Sequence, residues 1–239
     1  MDEQSLPADE SDPTPQLAQV LADAGVDLTD PQVEKLDDYR KTLWSWNERL
    51  NLTRHTTIAK FVGRDVVDSL ELAKLVGRGQ RVLDVGSGGG TPGLVMAVCR
   101  PDLRIVLCES TQKKARALQA MVDELEIPVE VFGCRAEELL QLRTFDTLVA
   151  RAVAPLAKIL FWLQPHWTAF DQLLLIKGRN WVDERGEARH RGLLKTLELR
   201  RVATYAAPLA SDAESRPLGE SVILSVCQRG AGDLSAADS

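Results

Sequence analysis

The chain is poor in the residues that usually build a metal site or a nucleophilic catalytic group. Of its 239 residues, only four are cysteine and three are histidine. They stand singly, without the spacing of metal ligands, at Cys99, Cys108, Cys134, Cys227, His55, His166 and His190. We therefore expect reduced cysteines, as is typical of a cytosolic protein, and neither a metal site nor a Ser-His-Asp triad.

Long apolar runs are also missing. No run approaches the length of a membrane span, and the first fifteen residues are acidic and contain proline, unlike a signal peptide. With 44% hydrophobic residues, the chain can bury one substantial core. These features predict a soluble, cytoplasmic protein without a membrane partner, built from one α/β domain and a smaller appendage.

Charge is unevenly distributed along the chain. The net charge is −6, but residues 1–38 hold eleven acids and one base, a balance of −10. The rest of the chain holds 24 acids and 28 bases, a balance of +4. A mildly basic body behind an acidic leader is compatible with a polyanionic substrate, although most charges of either sign are solvated surface.

The most informative segment reads Arg81-Val-Leu-Asp-Val-Gly-Ser-Gly-Gly-Gly-Thr-Pro-Gly93. An apolar run ends near Asp84 and breaks into five glycines, and a helix-like pattern follows from Leu94 to Arg100. Glycine lets the main chain adopt conformations closed to other residues and approach a ligand closely. Pro92 suits the first turn of the helix, whose free N–H groups favour an anionic group. The segment predicts a loop for a nucleotide-type cofactor.

Two cofactors compete for this loop. Gly88, Gly90 and Gly93 fit the dinucleotide fingerprint G-x-G-x-x-G, which suits NAD. That register would place Asp84 inside the end of a buried strand, where an unpaired carboxylate is costly to desolvate. We therefore favour a loop that begins at Gly86. Its pattern, Asp-x-Gly-x-Gly-x-Gly, looks like the first motif of S-adenosylmethionine-dependent methyltransferases.

An acidic residue ends the next short apolar run, Arg104-Ile-Val-Leu-Cys-Glu-Ser110. A carboxylate at the end of the second strand of an open α/β sheet can accept both ribose hydroxyls, and ligands of such sheets lie at the carboxyl ends of the strands. Glu109, 23 residues after Gly86, is thus predicted to contact the ribose rather than only cap a helix. This contact does not separate adenosylmethionine from NAD.

The remaining pattern divides the chain into four parts. We expect a flexible acidic extension over 1–15, a helical region over 16–75, an α/β domain over 76–228 and a flexible tail over 229–239. Helices are predicted from about Leu17 to Ala24, from Thr29 through Leu50, from Thr57 to Leu75 and from Thr111 to Glu126. From Arg81, short apolar strands alternate with helices, as in a doubly wound parallel sheet. Seven strands are predicted near 81–86, 104–109, 128–132, 145–150, 172–177, 198–206 and 221–227, the last two antiparallel.

Five segments together resemble the RsmG family, also called GidB, of bacterial methyltransferases. They are Trp46-Asn47 with Asn51-Leu52-Thr53, Asp68-Ser69-Leu70, the glycine segment from Leu83 to Gly93, Ala150-Arg151-Ala152-Val153-Ala154-Pro155-Leu156, and Lys177-Gly178. The family methylates N7 of one guanine in small-subunit (16S) ribosomal RNA. The resemblance implies a seven-stranded methyltransferase fold, S-adenosyl-L-methionine as cofactor, and ribosomal RNA or the small ribosomal subunit as partner of a monomeric enzyme.

The resemblance also implies roles for individual residues. Together with the glycine loop and the ribose acid, it gives these cofactor contacts: Gly86, Gly88, Thr91, Glu109, Ala136, Glu137 and Arg151. Arg151 and Lys177, at the ends of the predicted fourth and fifth strands, are the expected catalytic residues. The family usually has a bulky apolar residue in place of Thr91, a histidine in place of Asp65 and a serine in place of Ala150.

The implied chemistry explains why no catalytic acid–base pair is visible. Guanine N7 already has a free lone pair, so orientation is the main requirement. An arginine often binds both N7 and O6 of guanine, but N7 must stay open for methylation. Arg151 or Lys177 would therefore contact O6 or a phosphate. Two other functions stay open from the sequence: an NAD-dependent oxidoreductase, and a non-catalytic RNA-binding assembly factor.

Overall fold

The computed structural model of the protein describes residues 13–206 and 220–230. Its strands are β1 (Arg81–Val85), β2 (Arg104–Cys108), β3 (Glu130–Phe132), β4 (Phe145–Arg151), β5 (Phe170–Lys177), β6 (Leu197–Tyr205) and β7 (Ser221–Gln228). Its α-helices are α1 (Pro13–Asp23), α2 (Asp30–Asn47), α3 (Ile58–Lys60), α4 (Val67–Ala73), α5 (Gly93–Cys99), α6 (Gln112–Glu124), α7 (Ala136–Leu140), α8 (Leu156–Leu163) and α9 (Trp181–His190). A π-helical turn (Phe61–Val66) joins α3 to α4, and a 3₁₀ helix (Gln164–Ala169) follows α8.

The strands form one sheet in the order β3-β2-β1-β4-β5-β7-β6. Strands β1 to β5 are parallel, and β7 runs antiparallel to both β5 and β6. The predicted doubly wound, seven-stranded sheet with an antiparallel final pair is confirmed, and each predicted strand lies within two residues of its expected bounds. Because the strand order reverses between β1 and β4, a crevice opens at their carboxyl ends, where ligands of such sheets bind.

The amino-terminal helices share their core with the sheet. Leu17 in α1 and Leu36 in α2 belong to the same buried cluster as Val82 in β1 and Leu107 in β2. A second cluster, on the other face, contains Leu148 of β4 together with residues of α8 and β7. Burial of apolar side chains on both faces is what holds a largely parallel sheet together.

Several predicted boundaries differ from the structure. Helix α1 begins at Pro13, inside the predicted flexible extension, and residues 1–12 of that extension lie outside the described residues. Helix α2 ends at Asn47 rather than Leu50, because the Asn47 side chain bonds to backbone N–H groups beyond the helix end. Of the predicted tail, residues 229 and 230 form a turn, and residues 231–239 are not described.

All four cysteines are free thiols. Cys108 is buried and the other three are half-buried, and the free thiols agree with the predicted reduced state. Within residues 13–206 and 220–230, no helix is both long and apolar enough to cross a membrane.

Candidate active site

A cleft of about 930 Å³ opens at the carboxyl ends of the central strands. All seven predicted cofactor contacts line it: Gly86, Gly88, Thr91, Glu109, Ala136, Glu137 and Arg151. They come from the ends of β1, β2 and β4 and from the start of α7. The topology thus brings together residues that are far apart in the sequence, at the position expected for a ligand of this sheet.

The glycine loop is anchored to the end of β2. The N–H groups of Gly86 and Ser87 donate to the Cys108 carbonyl at 2.8 and 3.1 Å, and the Ser87 hydroxyl accepts from the Cys108 N–H at 3.1 Å. Gly86 has φ +71°, and a Cβ there would lie 2.8 Å from a methyl carbon of Val153. Gly88 has φ +55°, and nothing but a backbone oxygen at 3.9 Å would touch its Cβ. The loop therefore leaves open space over Gly88, on the cleft side.

Asp84 corrects part of the reasoning from the sequence. The loop begins at Gly86 as predicted. Asp84, however, lies inside β1 and is fully buried, although the cost of desolvation had led us to expect it outside a buried strand. Its Oδ2 accepts the Gly93 N–H at 3.0 Å, and Oδ1 has no partner among the described residues. Burial raises the pKa of Asp84 to about 7, against the opposing hydrogen bond from Gly93. The fold tolerates the carboxyl through that bond and through easier protonation.

The contact between Asp84 and Gly93 also differs from what the sequence predicted for the start of α5. The first N–H of α5 was expected to favour an anionic group of the ligand. In the structure the Gly93 N–H binds the protein's own Asp84 carboxyl instead.

Glu109 supports the loop as well as lining the cleft. Its Oε2 accepts the Gly88 N–H at 3.0 Å and its Oε1 accepts the Thr111 N–H at 2.7 Å. The side chain is buried at the end of β2. Glu109 thus lies in the cleft at the end of β2, where the predicted ribose contact would be. Its hydrogen bond to Gly88 also fixes the position of the glycine loop relative to β2.

Thr91 has a structural partner that the sequence did not predict. Its hydroxyl lies 3.0 Å from the hydroxyl of Tyr39, which also donates to the Gly89 carbonyl at 3.0 Å. Burial raises the pKa of Tyr39 well above its ordinary value, so the phenol stays protonated and able to donate. The threonine that replaces the family's apolar residue therefore ties the glycine loop to α2.

The far end of the cleft is formed by the start of α7 and by α8. Glu137 pairs with Arg135 at 2.8 Å, and Arg135 lies 5.5 Å from the ring centre of Trp162. Lys158 lies 5.0 Å from the same ring. Trp162, which the sequence analysis did not single out, therefore adds an aromatic surface next to Ala136 and Glu137.

Arg151 is held by the π-helical turn and α4. Its guanidinium donates to the Arg64 carbonyl at 2.6 Å, to Asp65 at 2.5 Å and to Asp68 at 3.4 Å. Burial alone would lower the pKa of Arg151, but the two carboxylates raise it, so the group stays charged. Burial also raises the pKa of Asp68, although Arg64 and Arg151 oppose this. π-helical turns often occur at functional sites, and this one supplies a carbonyl and a carboxylate to Arg151.

Lys177 lies elsewhere. It does not line the cleft, and its Nζ donates to the Ala154 carbonyl at 2.7 Å and to Glu184 at 2.8 Å. These contacts join the end of β5 to α9 and to the loop that follows Arg151. A catalytic role for Lys177 stays a prediction, and its contacts in this structure are those of a residue that fixes a loop.

Two cleft residues were missed or left undecided. His55, which shows no ligand spacing in the sequence, lines the cleft, and its Nδ1 lies 2.9 Å from Asp65. Asn47 and Asn51 both belong to the segments that carry the family resemblance. Asn47 is structural, because its Oδ1 accepts backbone N–H groups at 2.8 and 2.9 Å, whereas Asn51 lines the cleft.

Comparison with known proteins places this geometry in a family. The family model GidB, described as rRNA small subunit methyltransferase G, matches residues 32–211. A ribosomal RNA small subunit methyltransferase G from Rhodopirellula baltica is 51% identical over 198 residues, covering 81% of this chain and 86% of the relative. A protein of the same name from Sorangium cellulosum is 37% identical over 210 residues, covering 85% of this chain and 87% of the relative.

Solved structures bear on the fold alone. A Pyrococcus horikoshii protein described as an RNA methyltransferase superposes with a TM-score of 0.51 at 13% identity, covering 79% of this chain and 98% of that one. This likeness shows a shared fold, and together with the family match it confirms the predicted methyltransferase fold. With the family match over most of its length, the chain belongs to the GidB family, the rRNA small subunit methyltransferase G family, and is an S-adenosylmethionine-dependent methyltransferase.

Proposed function

We propose that the protein transfers a methyl group from S-adenosylmethionine to N7 of a guanine in small-subunit (16S) ribosomal RNA. The observation that carries the proposal is the single cleft in which the glycine loop, the buried Glu109 and the Arg151 guanidinium meet at the carboxyl ends of β1, β2 and β4. Its volume, about 930 Å³, is near the upper end of the usual range for ligand sites. It has room for a cofactor together with a nucleobase.

The residues of the cleft fit the cofactor. The space over Gly88 is one that a side chain would fill, and Glu109 presents a carboxylate next to it. Gly86, Gly88 and Thr91 would hold the amino-acid part, Glu109 the ribose, and Ala136 with Glu137 the adenine. When bound, S-adenosylmethionine supplies an electrophilic methyl group on its sulfonium. Its positive charge suits a cleft lined by the buried acid Glu109.

The protein's contribution to the reaction is orientation and exclusion of water. Guanine N7 needs no deprotonation, so no general base is required at the reacting atom. The Arg151 Nη1 and Nη2 donors are already held by Arg64, Asp65 and Asp68, which fixes the plane of the guanidinium. We assign its remaining N–H groups to O6 or to a phosphate, since N7 must stay open. We assign Lys177 to holding the loop after Arg151 through the Ala154 carbonyl.

The substrate guanosine must leave any duplex to enter the cleft. In A-form RNA the major groove that displays N7 is deep and narrow, so a side chain or cofactor cannot reach it. An accessible loop or a base splayed out of its stack meets this requirement. We further propose that the enzyme works as a monomer in the cytoplasm, where ribosomal RNA is found. A single chain supplies every residue of the cleft described above, and light scattering of the purified protein would test the oligomeric state.

Methyl transfer from tritium-labelled S-adenosylmethionine to unmodified small-subunit RNA or subunits tests the function. Borohydride and aniline, which cleave RNA at 7-methylguanosine, would locate the product. Gly88→Leu and Gly25→Leu form a matched pair: both sites have positive φ and open space around the Cβ, but only Gly88 lies in the cleft. We expect label at one guanosine with the wild type and Gly25→Leu, and none with folded Gly88→Leu.

The alternatives give different results. An NAD-dependent oxidoreductase would bind NADH rather than S-adenosylhomocysteine in calorimetry, and a non-catalytic factor would bind RNA without methylating it. Membership of a methyltransferase family favours neither. Label on another base would refute the N7 assignment, and no label from folded wild-type enzyme would refute the proposed function.

A further inference from the structure

The loop of residues 51–55, between α2 and α3, is fixed against the cleft by side-chain bonds to its backbone. Asn47 accepts the N–H groups of Leu52 and Thr53, and the Trp44 indole N–H donates to the carbonyl of His55 at 2.9 Å. Loops are normally among the more mobile parts of a fold. Here the bonds hold both the start and the end of the segment, so its side chains have defined positions at the cleft.

The 51–55 loop also packs directly on the cofactor loop. A Cβ added to Gly89 would lie 2.8 Å from a methyl carbon of Leu43 and 3.3 Å from the Cβ of Leu52. No side chain fits between the two segments. The 51–55 loop therefore lies in van der Waals contact with the glycine loop, on the side of the cleft that faces α2.

A third contact ties the same loop to Arg151. Asp65 receives both the Nδ1 of His55, at 2.9 Å, and the Arg151 guanidinium, at 2.5 Å, on its Oδ1. Asp65 is buried and lies in the π-helical turn. The 51–55 loop, the π-helical turn and the end of β4 are thus joined through one carboxylate, and they form a continuous wall of the cleft.

Two side chains of this wall are left without partners. Asn51 and Arg54 are exposed and line the cleft, and neither bonds to another residue in the described parts of the chain. Two other arginines that line the cleft are engaged: Arg135 with Glu137 and Arg151 with Asp65. An arginine held beside a cleft by a fixed backbone, with no acidic partner, is suited to a phosphate. An asparagine amide offers both a donor and an acceptor in one plane.

We propose that the 51–55 loop is the RNA-binding wall of the cleft, with Arg54 on a phosphate next to the target guanosine and Asn51 on the guanine base. The inference rests on the proposed function and deepens it. Guanine N7 lies on the major-groove edge, so a group that holds the base without blocking methylation can bind N1–H and O6 on the Watson–Crick edge. The Asn51 amide matches that edge, since its nitrogen donates to O6 and its oxygen accepts from N1–H.

The two contacts predict different effects on RNA binding. A phosphate contact releases counterions, so each one adds about 0.7 to the slope of log affinity against log salt for single-stranded RNA. A contact to a base releases no counterions, so it does not change this slope. We therefore expect Arg54→Ala to weaken RNA binding and to lower the slope by about 0.7. We expect Asn51→Ala to lower kcat/KM for RNA roughly 5- to 100-fold with the slope unchanged.

The experiment measures RNA affinity of the enzyme across a series of KCl concentrations, kcat/KM for RNA methylation, and S-adenosylhomocysteine affinity by calorimetry. Arg54→Lys serves as the conservative variant and should restore the slope. Arg104→Ala is the matched control, because Arg104 is an exposed arginine at the start of β2, at the opposite end of the sheet from the cleft. Cofactor affinity should be the same in all variants and the wild type.

The outcomes separate the inference from the proposed function. If the wild type methylates RNA but Arg54→Ala keeps its affinity and slope, the inference is wrong and the proposed function stands. A loss of S-adenosylhomocysteine affinity in either variant would make these residues cofactor ligands and would overturn the inference. An equal change of slope in Arg104→Ala would show diffuse surface binding and would overturn it as well. Absence of methyl transfer by the wild type bears on the proposed function alone.

Discussion

Asp84 allows a quantitative test of the electrostatics beneath the glycine loop. Its carboxyl is fully buried, with one hydrogen bond from the Gly93 N–H at 3.0 Å and no partner for Oδ1 among the described residues. Burial raises its pKa from 3.8 to about 7. We predict that Asp84→Asn gains stability relative to the wild type as the pH rises, in the cofactor-free protein.

The sign follows from proton linkage. A carboxyl with a raised pKa holds its proton more tightly in the folded than in the unfolded chain, so its contribution is fully present below pH 3.8 and is lost as the pH rises toward about 7. Each pH unit inside this window lowers the free energy of unfolding by about 1.4 kcal/mol. Between pH 5 and pH 8 the wild type should therefore lose roughly 2 to 3 kcal/mol of unfolding free energy through this group, and the asparagine variant none of it.

Urea denaturation of the cofactor-free proteins at pH 5 and pH 8 measures this effect. All other titrating groups are common to both proteins, so their contributions cancel in the difference between variant and wild type. Asp171→Asn, at an exposed aspartate of β5, is the control and should show no change of that difference with pH. The reasoning would be refuted if the difference between Asp84→Asn and the wild type were the same at both pH values.

Three further predictions concern the loop, the buried ion pair and the ribose site. Gly90→Ala should lower the free energy of unfolding more than Gly79→Ala. Both glycines have positive φ, but only at Gly90 would the Cβ meet another side chain, at 2.5 Å. Equal urea midpoints for the two variants would contradict this. Asp65→Asn removes the charged 2.5 Å partner of the buried Arg151 guanidinium and should lower the free energy of unfolding by about 3 to 5 kcal/mol. Glu187→Gln, in an exposed pair, should lower it by about 0.5 kcal/mol. Similar losses in the two variants would be evidence against the burial argument. Glu109→Gln should weaken S-adenosylhomocysteine binding roughly 10- to 100-fold in calorimetry, since a charged acceptor at the ribose site is lost, and unchanged affinity would remove Glu109 from that site.

Much of the fold could be predicted because its signals are local. Alternation of apolar strands with helical patterns gave the seven strands within two residues, and the glycines after β1 marked the cofactor loop. Errors arose where a side chain acts on distant backbone. Helix α2 stops at Asn47 because that side chain binds N–H groups five and six residues further on. Asp84 is accommodated in a buried strand because the Gly93 N–H donates to its carboxyl.

The site was only partly predictable for a similar reason. The seven predicted cofactor positions came from the glycine loop, the acid that ends the second strand and the family resemblance, and all of them line the cleft. His55 carried no spacing signal, because its partner Asp65 was itself an exception to the family pattern. Lys177 lies at the end of β5, as expected, yet its amine turns to Glu184 on α9 rather than to the cleft.

The sequence by itself determined the fold class, the register of the glycine loop and the family, because periodicity, glycine spacing and motifs are properties of neighbouring residues. Only the tertiary structure decided which polar groups from distant parts of the chain pair with one another. Arg151 and Asp65 are 86 positions apart, and Tyr205 and Asp68 are 137 apart. Such pairs form because the sheet and the amino-terminal helices share one core, and the packing of that core fixes where each helix brings its side chains.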